Sequence, residues 1–148
     1  MKLQVVAHCL LNPLTRLKGI RPAKFSAEAP LIQLPCPEAG YLGLDRWAIT
    51  KNQIDMPNYR RYCREVFAHQ VDLVEQFAKK GFKIEVVGVA DSPTCGIAST
   101  TWGYHGGKIR PEPHEHIEGK GVFMEEIESE LARRGVSFRF VEAERVER

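Results

Sequence analysis

Three cysteines stand just past short apolar runs. Leu3 to Ala7 leads into His8-Cys9-Leu10, Leu31 to Leu34 into Pro35-Cys36-Pro37-Glu38, and Ile84 to Ala90 into Asp91-Ser92-Pro93-Thr94-Cys95-Gly96. Each run is short, rich in Val, Ile and Leu, and reads as a buried strand. If these strands lie side by side and parallel, the three thiols meet at one edge of one sheet. That edge lies beyond the carboxyl ends of the strands, where open α/β sheets bind their ligands. Thiolates are soft donors. Iron–sulfur clusters are normally held by four of them. A [4Fe–4S] cluster on three leaves one iron open, by the same logic as a catalytic zinc with a vacant position. An open iron is a Lewis acid with a preference for sulfur. The chemistry to expect is therefore that of a sulfur-bearing substrate, or of an oxygen ligand polarised by the iron.

Two polar residues stand beside these cysteines: Glu38 two residues after Cys36, and Ser92 three before Cys95. A carboxylate next to a metal site can act as general acid or base, and a hydroxyl can relay a proton. Each also has an ordinary structural use, Glu38 as a turn cap and Ser92 as a local hydrogen-bonding group before Pro93. There is no Cys-x-x-Cys pair, which argues against a zinc ribbon or a thioredoxin-like redox motif. Three other uses of the same residues compete. One is a non-catalytic iron–sulfur protein that carries electrons or sulfide. A second is a zinc-dependent hydrolase in which cysteines join His8, His105, His114 or His116. A third is a nucleophilic Cys36 or Cys95 activated by a histidine.

The elements that must position these residues follow from periodicity. Strands are expected over 2–7, 29–34, 83–90 and 136–141. Pro57 suits the first turn of a helix, with Asp55 as its cap. Tyr62, Cys63, Val66, Phe67, Val71, Val74 and Phe77 then recur at helical steps as far as the Gly81 stop. Cys63 belongs to that apolar stripe and reads as a small core hydrophobe. A last helix spans 121–134, with Phe123, Ile127 and Leu131 on one stripe. The expected fold class is α/β: one domain, residues 1–148, with a small, mostly parallel sheet flanked by helices and the cysteines at the carboxyl ends of strands. Pro35 and Pro37 should give Cys36 a rigid, non-helical mount. The stretches 40–47 and 96–116 read as loops. The basic stretch with Arg16, Lys18, Arg21 and Lys24 reads as a solvated loop in preference to an anion-binding segment, and the charged tail from about Glu142 as frayed.

The chain has 148 residues, 43% of them hydrophobic, enough for one core. A formal net charge of +2 is too small to suggest a nucleic-acid partner. No run approaches the roughly 20 apolar residues of a membrane span, and the N-terminus lacks the pattern of a signal peptide. A cytoplasmic protein with reduced thiols is expected.

Cys9-Leu10 after a strand, Cys36-Pro37-Glu38, and Ser92-Pro93-Thr94-Cys95-Gly96 resemble, in the same order, the motifs of the thiouracil desulfidase family (formerly the domain of unknown function DUF523). The resemblance extends over roughly residues 1 to 140. It departs at Ala7-His8, where better-known members have Ser-Ala, at Thr94, where serine is common, and in the loops 40–47 and 99–116. The resemblance implies a [4Fe–4S] cluster on Cys9, Cys36 and Cys95, and acid–base roles for Glu38 and Ser92. It implies a fourth iron that takes sulfur from a small thiolated substrate resembling a nucleobase. Cys63 matches no cysteine of the family.

Overall fold

The computed structural model describes residues 1–16, 23–103 and 115–145. The chain begins with strand β1 (Lys2–Val6), a single helical turn α1 (His8–Leu11) and a 3-10 turn (Pro13–Thr15). The short strands β2 (Ala23–Lys24) and β3 (Leu31–Gln33) follow, then helices α2 (Pro37–Leu42), α3 (Lys51–Ile54) and α4 (Pro57–Lys79). Strand β4 (Lys83–Val89), the hairpin strands β5 (Ser99–Trp102) and β6 (Glu115–Glu118), helix α5 (Val122–Arg133) and strand β7 (Phe138–Arg145) complete it.

The main sheet has the order β2-β7-β4-β1-β3, with β7, β4, β1 and β3 parallel and β2 antiparallel at the edge. The α/β architecture read from the sequence is thus the one observed. The apolar run in β4 makes it the central strand, buried from Ile84 to Val89. Leu3 and Val5 of β1 share a core with Ile84 and Val86 of β4, together with the apolar stripes of α4 and α5. The α4 stripe is Tyr59, Cys63, Phe67, Val71 and Val74, all buried. Phe67 meets Phe123 of α5 edge to face, with ring centroids 6.0 Å apart. The other sheet face is closed differently. Val6, Val87 and Ala143 pack under Leu10, Leu11, Phe25 and Leu31. Below them Gln4, Glu85 and Arg139, in register on three neighbouring strands, join in a polar ladder. In that ladder Gln4 donates to Glu85 at 3.1 Å, and Arg139 donates at 2.9 and 2.6 Å.

Four expectations need correcting. Cys9 lies within α1, and Cys36, itself in extended backbone as expected, is the N-cap of α2, whose residues Gly40 to Leu42 fall in the stretch read as loop. Pro37 does stiffen that segment, but as the first helical residue, where its missing N–H costs nothing. The stretch 96–116 is not all loop, since β5 and β6 pair antiparallel within it; His105 and His114 lie outside the described residues. Asp55 does not cap α4. Met56 occupies that position without a side-chain bond, and Asp55 instead pairs with Arg60 at 2.6 Å. Glu142 to Arg145 are not frayed: β7 runs on to Arg145 and pairs there with β2, and the rest of the expected tail lies outside the described residues.

Candidate functional site

Backbone hydrogen bonds carry the three cysteines to one edge of the sheet. The Ala7 N–H donates to the Val87 carbonyl at 3.0 Å, and the Leu34 N–H to the Val6 carbonyl at 2.9 Å. These bonds continue the sheet's pairing to the residues two before Cys9 and two before Cys36. Cys95 is fastened to the same edge from the other side, its carbonyl accepting from the Val89 N–H at 2.8 Å. The cysteines therefore follow β3, β1 and β4, three adjacent parallel strands.

Local structure fixes the Cys36 thiol and the loop that carries Cys95. Cys36 Sγ accepts from the Ala39 N–H at 3.4 Å, in the manner of an N-cap oxygen. In the loop after β4, Ser92 Oγ accepts from the N–H groups of Thr94 at 3.2 Å and Cys95 at 2.9 Å. The carbonyls of Pro93, Thr94 and Gly96 receive the first N–H groups of α5, those of Val122, Phe123 and Met124, and that of Gly121. The helix start that needs partners and the cysteine loop thus complete one another. Close packing requires glycine here, because a Cβ at Gly121 would run into the Thr94 carbonyl group.

The thiols feel one another. Burial, then the charges of Cys9, Cys36 and Glu38, push Cys95 well above the ordinary thiol range. Burial pushes Cys9 up to about 11, against the opposing charge of Arg16 and with a further push from Cys36 and Glu38. Cys36 is also raised by burial, with the Ala39 N–H and the Arg46 charge opposing. Without a metal all three are neutral thiols near pH 7. Binding one would release their protons.

Glu38 is 6% exposed. Its Oε2 accepts from Thr94 Oγ1 at 3.0 Å, and Tyr59, fully buried on α4, meets the same hydroxyl at 2.9 Å. The Thr94 hydroxyl gives its one proton to the carboxylate, so the Tyr59 hydroxyl donates to Thr94. Arg46 Nε lies 3.2 Å from Glu38 Oε1, within ion-pair range but not aligned for a hydrogen bond. Arg46 is itself held by carbonyls, donating to Thr15 at 2.8 Å and Gly43 at 3.4 Å. Ser92 spends its acceptor capacity on the backbone and keeps one hydroxyl proton that it can donate. Its sequence-level alternatives, local hydrogen bonding and proton relay, are therefore compatible.

The other sequence candidates have partners of their own. Cys63 is completely buried in the α4 stripe and shares a hydrogen bond with Tyr59; burial pushes its thiol up to about 12. His8 Nδ1 bonds Gln33 at 2.9 Å, and His116 pairs with Asp91 at 3.3 Å. Among the described residues no three His, Cys, Asp or Glu side chains are spaced to hold a single metal ion. The zinc reading thus has no support from His8 or His116. A cluster differs, because each thiolate binds a different iron and the sulfurs stand farther apart. The donor set fits it in kind: three soft ligands on one edge, Cys95 buried and Cys9 and Cys36 partly so. A shallow concavity of about 520 Å³ lies at the opposite, amino end of the sheet, lined by Lys2, Glu85 and Arg139. No residue discussed above as chemically active lines it.

Sequence reasoning misses Thr94, Tyr59 and Arg46, and places Arg16 in a stretch read as a solvated loop in preference to an anion-binding one. Thr94 was noted only as a variant motif residue, and Tyr59 lay one turn before the periodic stripe that marked α4. Arg46 stood among the exposed-looking residues of 40–47, where Leu44 and Trp47 are indeed exposed while the Arg46 side chain is 5% exposed.

The chain is similar to Uncharacterized protein MJ0003 of Methanocaldococcus jannaschii, 24% identical over 151 residues covering 95% of this chain and 85% of that protein. No family model and no solved structure matches. Among the described residues no helix is long and apolar enough to cross a membrane.

Proposed function

We propose that this protein is a [4Fe–4S]-dependent, non-redox desulfidase that converts a C=S group of a small thiolated compound, such as a thiolated nucleobase, to C=O. The observation that carries this reading is the convergence of Cys9, Cys36 and Cys95 beyond three adjacent parallel strands, with Glu38 buried beside them. Cys9, Cys36 and Cys95 would hold the cluster, which supplies a Lewis-acidic iron with affinity for sulfur. Glu38 removes a proton from the attacking water, held in place by Thr94 and offset by Arg46. Ser92 relays one of the two protons that water brings to the substrate nitrogen or the departing sulfur, ending with its hydroxyl restored, and Glu38 gives up the other to solvent. Water adds oxygen to the carbon, the carbon–sulfur bond breaks, and sulfur leaves as hydrosulfide. No electrons are gained or lost, so the reaction calls for no nicotinamide or flavin.

Anaerobic reconstitution tests this directly. About four iron and four sulfide should bind per chain, and a screen of thiolated nucleobases should find one that releases sulfide. Cluster uptake without any sulfide release would favour an electron or sulfide carrier. Stoichiometric zinc in place of iron would end the proposal.

A further inference from the structure

Arg16 closes the 3-10 turn after α1, its N–H donating to the Pro13 carbonyl at 3.1 Å. Its Nη1 is buried and has no hydrogen-bond partner among the described residues. Leaving a buried donor unpaired costs about 1–3 kcal/mol, and more when it is charged. Such a group calls for an explanation, an ion or ligand being one. Two facts indicate where its partner belongs. The Arg16 charge acts on Cys9, opposing the effect of burial on that thiol. Glu38, the carboxylate at this edge, is already engaged by Arg46, which is locked onto the carbonyl of Thr15, the residue just before Arg16. One guanidinium therefore answers Glu38, and the charge of the other acts on Cys9 while its Nη1 stays without a partner among the described residues.

Resting on the cluster reading above, we propose that Arg16 is a positioning residue for the cluster. It donates a hydrogen bond from Nη1 to sulfur, either the Cys9 thiolate or an inorganic sulfide, and its charge offsets that of a core held by three thiolates. A buried cluster carrying net negative charge needs such a counter-charge. Hydrogen bonds to sulfur and local charge are among the determinants of cluster reduction potential. A cation beside the cluster favours the reduced form, because reduction adds an electron. Among the described residues Arg16 pairs with no carboxylate that would cancel this effect.

The experiment compares wild type, Arg16→Lys and Arg16→Gln after anaerobic reconstitution, reading iron content and the reduction potential by spectroelectrochemistry. Arg16→Gln should take up the same iron and show a lower potential, with Arg16→Lys between the two because charge is kept and the planar fork is lost. Each tenfold shift in the relative stability of the two oxidation states reads as about 59 mV for one electron. Equal iron with an unchanged potential in Arg16→Gln overturns the proposal. If Arg16→Gln takes up no iron, Arg16→Lys decides. Uptake restored by lysine supports the counter-charge, and uptake in neither variant overturns it in favour of simple packing. A wild type that takes up no cluster overturns both this proposal and the cofactor reading, and iron content alone separates that result from the others.

Discussion

Thr94 Oγ1 donates to Glu38 Oε2 at 3.0 Å, and both side chains are buried. This bond ties the start of α2 to the loop after β4, 56 residues later in the chain. It fixes the carboxylate between the segments that carry Cys36 and Cys95. A proton acceptor works only if it is held in place, and Thr94 holds it together with Tyr59.

Replacing that hydroxyl tests the arrangement. In Thr94→Val the branched shape remains, and the bond to Glu38 and the acceptor for Tyr59 disappear. A hydrogen bond to a charged group is worth about 1.5–3 kcal/mol, so sulfide release should fall by roughly 10- to 100-fold. Thr94→Ser, which keeps the hydroxyl, should recover most of that loss. Iron content measured on the same samples separates the effect from damage to the neighbouring Cys95. Equal turnover in wild type and Thr94→Val would remove Thr94 from the mechanism.

The four cysteines should divide three to one. Cys9→Ala, Cys36→Ala and Cys95→Ala should each fail to retain the cluster. Cys63→Ala should bind iron like wild type, since Cys63 points into the α4 core beside Tyr59. Its cost should appear in stability instead, about 1–2 kcal/mol for a small cavity, read from denaturant midpoints. In the folded apo-protein its buried thiol, raised to about 12, should resist alkylation at pH 8. Iron loss in Cys63→Ala would break the partition.

What the sequence disclosed and what it hid follow a physical rule. Helix α4 was legible throughout because Pro57 starts it, one apolar stripe runs along it, and Gly81, at φ 92°, stops it. The cysteine positions were legible because strands are apolar runs and the site begins where they end. Helix α2 was hidden because Pro37 and Gly40 argue against a helix. Yet proline sits harmlessly at the first position, and Gly40 leaves room for the Tyr62 hydroxyl. The end of β7 was hidden because its charged residues look like a tail, and pairing with β2 is a contact across more than a hundred residues. The Tyr59–Thr94–Glu38–Arg46 chain was hidden for the same reason. Each member is ordinary locally, and only the fold makes them neighbours.

The polar ladder predicts a pH dependence. Burial raises the Glu85 carboxyl, but hydrogen bonds from Gln4 and Arg139 and the charges of Lys2 and Arg139 outweigh it and hold the group below its ordinary 4.5. A depressed folded-state value means that ionised Glu85 stabilises the fold above the unfolded-state pKa. That contribution fades as pH falls below about 4.5 and through the lower folded-state value. Glu85→Gln should therefore be less stable than wild type at pH 7, by about 1–3 kcal/mol. The gap should shrink steadily in urea titrations taken to acid pH. A gap that stays constant or widens toward acid would contradict the assigned direction.

Gly121 gives the most severe test of how the fold builds the site. Its φ of −69° suits any residue, so backbone strain is not at issue. Space is, because an added Cβ would meet the carbonyl group of Thr94 and approach the Cys95 N at 2.7 Å. Backbone atoms cannot rotate away as a side chain can, so Gly121→Ala must push α5 and the cysteine loop apart. That separation strains the bonds from Val122 and Phe123 to Pro93 and Thr94. Overpacking of this kind costs about 1–3 kcal/mol. The strain falls on the segment that places Cys95 and on Thr94, the partner of Glu38. Gly121→Ala should therefore lower the unfolding midpoint and also lose iron faster to a chelator than wild type. Gly119→Ala, two residues earlier, is the control: an added Cβ there meets nothing within 4 Å, and its positive φ of 136° strains only the turn. It should lower stability without speeding iron loss. If both variants release iron at the wild-type rate, the junction between α5 and the cysteine loop does not govern the site.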